Sequence, residues 1–447
     1  MTCHENRWAN HFLLTASDSD LDKKICIPAV MATGLSKLPA DEARIVLDRT
    51  LKTVVVPTSQ MRSTLRQLAS VARSFAGTRY PDERTFIQLA YSPTPVDFMP
   101  PVICLTGLAG VGKSAITKAF QRLFPPGSLI DVPGHAAFPL TGFWQFTFAG
   151  FSGLSKLLTQ NFRDPRVQKS KGAASKAAAE AVAQGISLIA TDELQFLTQS
   201  SANTLAAKVL LQMSAIGPPL VFTSNYSMLH RLASRPHEER QRLLTFPIII
   251  HPLASDSGDW HKLVREFLKA APELSGLRCA PNIEEQLHTY TFGIPRSLVL
   301  LIGIAYSFAR RRSDFCKVSL NDLESAYRSV DYSSTRNDIL ALVEGLINPR
   351  KLRSDLACPL SCVDPKPDSS DKVVPHPSIG QHMQRSREAG LISSLNKSER
   401  TAYEAASGRK SDPKPPRTRH QPRPPASIES LIEGADKFAK SKTKPLR

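Results

Sequence analysis

Gly107-Leu108-Ala109-Gly110-Val111-Gly112-Lys113-Ser114 decides how this 447-residue chain is read. The stretch follows the apolar run Val102-Ile103-Cys104-Leu105-Thr106 and precedes Ala115-Ile116-Thr117-Lys118-Ala119-Phe120, which reads as the start of a helix. Strand, glycine-rich loop, Lys-Ser and helix, in that order, is the context of a phosphate-binding P-loop. Gly107, Gly110 and Gly112 let the backbone curl so that successive N–H groups point inward around an anion. The helix N-terminus adds a partial positive charge at the same place. Lys113 would reach the β- and γ-phosphates of a nucleotide and the Ser114 hydroxyl would ligate Mg²⁺, with Ala115 following in the first turn beside it.

A second element of such a site lies downstream. Ile186-Ser187-Leu188-Ile189-Ala190-Thr191 suits a central parallel strand and ends in Asp192-Glu193. An acidic residue at the C-terminal end of a strand faces the crevice where a nucleotide lies. Asp192 would hold Mg²⁺, and Glu193 would orient and deprotonate the water that attacks the γ-phosphate. The strand Leu220-Val221-Phe222-Thr223 ends in Ser224-Asn225, where Asn225 either contacts the γ-phosphate or only forms a turn. Arg231, Arg235, Arg240 and Arg242 precede the last strand, Phe246-Pro247-Ile248-Ile249-Ile250; an arginine there would reach a neighbouring subunit's nucleotide.

The remaining pattern is mostly helical. A helix is expected after Pro57-Thr58-Ser59, with Met61, Leu65, Leu68, Ala69 and Ala72 on one face. Phe143-Trp144-Gln145-Phe146-Thr147-Phe148 reads as a strand. The basic loop carrying Arg163, Arg166, Lys169 and Lys171 is a candidate DNA-phosphate contact, and an alanine-rich helix follows it. From Ala254 onward helix follows helix. Gly293-Ile294-Pro295-Arg296 stops one and starts the next, which places Arg296 in a first helical turn.

The expected fold is therefore α/β: a P-loop NTPase core over residues 55–254 with a parallel sheet flanked by helices, an all-helical lid over 255–347, and a mostly disordered basic, Pro-rich tail over 348–447. Residues 1–54 read as an arm or docking region. Hydrophobic residues make up 41% of the chain and its formal net charge is +17, so an acidic partner is expected, with nucleic acid foremost. The longest apolar stretch, near Ser297–Ala305, is too short to span a bilayer, no signal peptide is evident, and seven scattered cysteines suit a reduced cytoplasm.

In motif order the chain resembles the AAA+ ATPases. Among them it resembles the transposition target selectors of the TnsC/TniB family, with MuB as a looser relative. The residues that carry this are Gly107 to Ser114, Phe143 to Phe148, Asp192-Glu193-Leu194-Gln195-Phe196-Leu197, and Thr291-Phe292-Gly293-Ile294-Pro295-Arg296, within residues 55–345. The resemblance implies ATP bound with Mg²⁺ between subunits, and a homo-oligomeric ring or filament on double-stranded DNA. It also implies recruitment of a transposase and a target-site selector, with hydrolysis dismantling the assembly. It assigns Asn225 as first sensor and Arg296 as second. Relatives carry a Ser-Arg-Phe finger where this chain has Leu244-Thr245-Phe246, so Arg240 or Arg242 would replace it. A helicase loader or replication initiator, and a nucleotide-gated adaptor without turnover, are the alternative readings.

Overall fold

A computed structural model describes residues 6–96, 98–132, 134–135, 137–148, 154–159, 173–192, 202–312, 317–348 and 351–360. Glu193, the basic loop with Arg163, Arg166, Lys169 and Lys171, and the chain from 361 onward lie outside these residues.

The N-terminal region forms α1 (Arg7–His11), α2 (Asp18–Ile25) and α3 (Ala40–Thr53), followed by α4 (Ser59–Arg79) and α5 (Glu83–Tyr91). The expected helix is α4, whose Thr58 hydroxyl caps it by accepting from the Met61 N–H. The core then alternates: β1 (Val102–Gly107), α6 (Lys113–Leu123), the hairpin β2 (Ser128–Ile130) and β3 (Phe138–Leu140), β4 (Phe143–Thr147), α7 (Leu154–Thr159), α8 (Ala173–Ala183), β5 (Leu188–Asp192), α9 (Ala202–Ser214), β6 (Leu220–Ser224), α10 (Tyr226–Ala233), α11 (His237–Leu244) and β7 (Phe246–Ile250). The lid comprises α12 (Gly258–Leu268), the short α13 (Ser275–Arg278), α14 (Ile283–Thr291), α15 (Pro295–Arg310), α16 (Leu320–Arg328) and α17 (Ser333–Ile347).

Five strands pair in the order β4-β5-β6-β1-β7, all parallel. Strands β1, β5 and β6 are buried along their whole length, as a parallel sheet covered on both faces requires. Pro247 is accommodated because β7 is an edge strand, where a missing N–H costs no ladder bond. Insertion of β1 between β6 and β7 creates a topological switch at the C-terminal ends of the strands. The same edge carries Gly107, Asp192 and Ser224.

Two hydrophobic cores form. The first surrounds the sheet; the second fills the lid. Residues 1–54, expected as an arm or docking region, contribute to both. Trp8 of α1 is buried against Phe86 and Tyr80, with ring centroids 4.7 and 6.2 Å away. Arg62 of α4 ties down α2 through Asp22 at 3.2 Å and Asp18 at 3.5 Å. Ala43, Leu47 and Leu51 of α3 belong instead to the lid core. There α3 crosses α15 closely at Gly303, where an added β-carbon would lie 2.2 Å from the Asp48 carboxylate. A side chain at that crossing would have to displace the Asp48 carboxylate.

The beginning of the expected tail is also folded. Leu352, Leu356, Cys358 and Leu360 pack against the first core, the His230 Nε2–H donates to the Ala357 carbonyl at 3.0 Å, and Arg353 pairs with Asp338 of α17 at 2.8 Å. Spaced leucines provide the burial that the Pro- and Ser-rich composition around them masks in a sequence average. Among the described residues no single helix is long and apolar enough to cross a membrane.

Candidate nucleotide-binding site

The P-loop is built by close backbone approaches. A β-carbon at Gly107 would lie 2.4 Å from the Ile250 carbonyl oxygen of β7, so the strand pair closes only over a glycine. Gly110 has φ +88° and Gly112 φ +108°, both in the left-handed region that favours glycine. Gly112 is the N-cap of α6 and offers no side chain there, which leaves the first-turn N–H groups facing the loop.

Lys113 folds over this loop. Its Nζ donates to the carbonyls of Gly107 and Leu108, both at 2.8 Å. Burial, followed by repulsion from the Arg296 guanidinium, pushes the ammonium down to about 8, against an opposing pull from Asp192. Three segments distant in sequence therefore act on one ammonium.

Asp192 ends β5 beside Thr147 of β4 and is 7% exposed. Its Oδ1 accepts a 2.5 Å hydrogen bond from the Thr223 hydroxyl of β6. A carboxylate so buried is tolerable when a donor holds it. Ser114 and Asp192 offer a hydroxyl and a carboxylate, hard oxygen donors that suit Mg²⁺. Among the described residues no cluster of three or more His, Cys, Asp or Glu could hold a metal by itself, so a cation here would depend on nucleotide phosphates and water for its other ligands.

Arg296 sits where the Gly-x-Pro-Arg pattern places it. Ile294 is the N-cap of α15 and Pro295 its first residue. The Arg296 N–H donates to the Gly110 carbonyl at 3.3 Å, and an added β-carbon at Gly110 would meet the Arg296 β-carbon at 2.5 Å. Both Phe292 (φ 55°) and Gly293 (φ 67°) are left-handed, and a β-carbon at Gly293 would lie 2.0 Å from the Leu253 carbonyl oxygen. This bend aims the first turn of α15 at the P-loop.

Asn225 stands at the end of β6, where its Oδ1 caps α10 by accepting from the Met228 N–H at 3.0 Å. The turn-forming role weighed for it is thus occupied by structure. Arg240 and Arg242 are exposed on α11. Arg242 borders a cleft with Phe75, Arg79 and Val102, at the start of β1 and so away from Lys113 of the same chain. The structure brings Gly107–Ala115, Asp192 and Arg296 together and leaves these two arginines on the surface.

Sequence motifs did not reveal the wall of the neighbouring cavity. A space of about 90 Å³ beside Gly112 and Ala115 is lined by Val54, Val55, Val56, Gln60, His251 and Pro295, among others. Gln60 braces it: its Oε1 accepts from the His251 N–H at 2.9 Å, and its Nε2 donates to the His251 carbonyl at 3.4 Å. Val55 exchanges both backbone hydrogen bonds with Ile27 at 2.9 Å. The only local signal was an unusual Val-Val-Val-Pro ahead of a helix cap. The apolar slot next to a phosphate loop has the chemistry of a nucleobase site.

The sequence matches no protein-family model and no curated protein. In solved structures the chain is similar to the AAA domain of FIGL-1, at 16% identity over 64% of this chain and 86% of that one, with a TM-score of 0.34. It is similar to the Orc1 protein of Aeropyrum pernix in complex with DNA, at 15% identity over 61% and 66% of the two chains and a TM-score of 0.35. It is also similar to NtrX from Brucella abortus in complex with ADP, at 16% identity over 68% of each chain and a TM-score of 0.34. Likeness this remote leaves function to the chain's own residues. Its five-stranded parallel sheet with the glycine loop at the switch point, followed by a helical region with its own core, is an α/β arrangement of the P-loop type.

Proposed function

We propose that this chain is an ATPase that assembles on double-stranded DNA, recruits a transposase at the chosen target, and uses hydrolysis to dismantle the assembly. The observation that carries the nucleotide reading is the convergence on Lys113 of its own P-loop carbonyls, the Asp192 carboxylate and the Arg296 guanidinium. Lys113 would exchange the Gly107 and Leu108 carbonyls for phosphate oxygens, a gain in charge-assisted bonding. Ser114 and Asp192 would hold Mg²⁺, which when bound neutralises developing phosphate charge. Glu193 would take the proton of the attacking water, and Arg296 would sense the γ-phosphate from the lid. The base would occupy the slot of Val54–Val56 and Gln60.

The DNA and transposition parts rest on the chain's net charge of +17 and on the Asp192–Leu197 and Thr291–Arg296 patterns. Arg163, Arg166, Lys169 and Lys171 are proposed DNA-phosphate contacts, and Arg240 or Arg242 the arginine offered to a neighbouring subunit's nucleotide. Electron microscopy with duplex DNA tests the assembly: rings or filaments are expected with a non-hydrolysable ATP analogue and none with ADP. Monomers under both conditions would overturn the assembly reading. Failure of the assembled protein to capture an integrase-type transposase would overturn the transposition reading and leave the ATPase standing.

A further inference from the structure

Four consecutive residues at the end of β6 each make a different contact. The Thr223 hydroxyl donates to Asp192. The Ser224 hydroxyl lies 3.4 Å from the Cys104 sulfur of β1. Asn225 caps α10 through the Met228 N–H. Tyr226 belongs to the first core, against which Cys358 packs, and one turn on His230 donates to the Ala357 carbonyl. Thr223, Ser224 and Tyr226 are all at most 5% exposed, so the junction is a packed unit in which a shift of one member is felt by the next. It joins the candidate metal ligand at one end to residues 351–360 at the other.

Those residues are held at the lid as well. Leu352 lies against Gly345 of α17, where an added β-carbon would meet it at 2.9 Å, and Arg353 pairs with Asp338 of the same helix. α17 itself spans both cores, with Ile339 in the lid's and Leu342 in the sheet's. The segment therefore runs from the last lid helix onto the helix that begins at the edge of the nucleotide site.

Resting on the ATPase reading above, we propose that residues 351–360 form an intramolecular strap that positions the β6–α10 junction, and through Thr223 the carboxylate of Asp192, for turnover. Tyr226 and His230 are positioning residues: they hold the strap and do not touch the nucleotide. The strap makes turnover depend on the lid's attachment to the core, in addition to the contact of Arg296 with the P-loop. Nucleotide binding itself, which the P-loop supplies, is independent of it.

The test uses the full chain, with ATP affinity, steady-state turnover, the Mg²⁺ concentration at half-maximal rate, and amide hydrogen exchange measured side by side. In Tyr226→Phe with His230→Ala, exchange across 351–360 should accelerate, kcat should fall about tenfold, and the affinity for ATP should stay within about twofold. The Mg²⁺ midpoint should rise, which a loss of global stability alone does not produce. Cys358→Ala should follow the double variant, whereas Cys358→Ser, which retains a hydrogen-bonding group, should recover most of the rate. Faster exchange in the strap with unchanged kcat and Mg²⁺ midpoint would overturn the proposal, as would equal rates for the Ser and Ala variants. A wild-type chain that binds no ATP would remove the nucleotide reading, and the strap's role with it.

Discussion

Arg296 rests directly on Gly110: its N–H donates to the Gly110 carbonyl at 3.3 Å and its β-carbon occupies the space that any side chain at position 110 would need. The lid and the phosphate loop therefore meet backbone to backbone, at a glycine whose φ of +88° already excludes most residues. The contact fixes the first turn of α15 against the loop.

Gly110→Ala should test that contact. The added methyl group meets both a strained φ and the Arg296 β-carbon, and the expected cost is about 1–3 kcal/mol of stability. ATP affinity should drop at least about tenfold, because the loop can no longer close around phosphate. Binding of a fluorescent ATP analogue and a thermal melt check both. Retention of full affinity would show that the loop does not grip phosphate in this conformation.

Lys113 predicts a pH dependence of two signs. Its ammonium is lowered to about 8 in the fold from an ordinary 10.5. Between those values the unfolded chain binds the extra proton, so this group makes the free protein more stable as pH rises through the window. Affinity for phosphate should move the other way and decline above pH about 8. Lys113→Met should abolish ATP binding, flatten the stability slope in that window and stabilise the free protein at pH 7. Denaturant titrations at several pH values give the readout.

Thr223 donates to the buried Asp192 carboxylate, so Thr223→Val should cost about 1–3 kcal/mol by removing that hydrogen bond. Mg²⁺-dependent turnover should fall about tenfold, while Asp192→Ala should eliminate it. Retained turnover in Asp192→Ala would remove Asp192 as a metal ligand, and equal turnover in Thr223→Val and wild type would show that the Thr223 bond does not position it.

Glu193→Gln should bind ATP normally and hydrolyse it about a hundredfold or more slowly, since a proposed general base is lost while size and shape are nearly kept. ATP-bound assemblies on DNA should then persist in micrographs. Unchanged turnover would remove Glu193 as the base.

Trp8→Ala should lower stability by about 3–5 kcal/mol, as expected for emptying a fully buried aromatic site against Tyr80 and Phe86. Chemical denaturation should show the loss, with residual folded protein still binding ATP. A cost under about 1 kcal/mol would mean that α1 is peripheral to the fold.

Much of the site was legible because its parts are local. The strand–glycine–Lys–Ser–helix pattern, the strand ending at Asp192 and the Gly293/Pro295 punctuation before α15 each lie within a few consecutive residues, where backbone preference and periodicity operate. The helices α10 and α11 are hidden in the sequence, although Asn225 supplies a cap signal, because strand-end and sensor readings compete for the same residue. Between Arg231 and Arg242 the density of charged residues conceals the apolar spacing that buries Leu232 and Leu243.

What the sequence alone determined is the chemistry: a phosphate loop, acidic residues at a strand end, an arginine in a first helical turn and an excess of positive charge. What tertiary structure alone decided is how those pieces are held. It divided residues 1–54 between two cores and made Gln60 a brace for the slot beside the P-loop. It also brought Ala357 onto His230 across 127 positions of chain. Such contacts follow from packing between distant segments, where burial and a satisfied hydrogen bond choose among many partners. Local propensity carries no record of that choice.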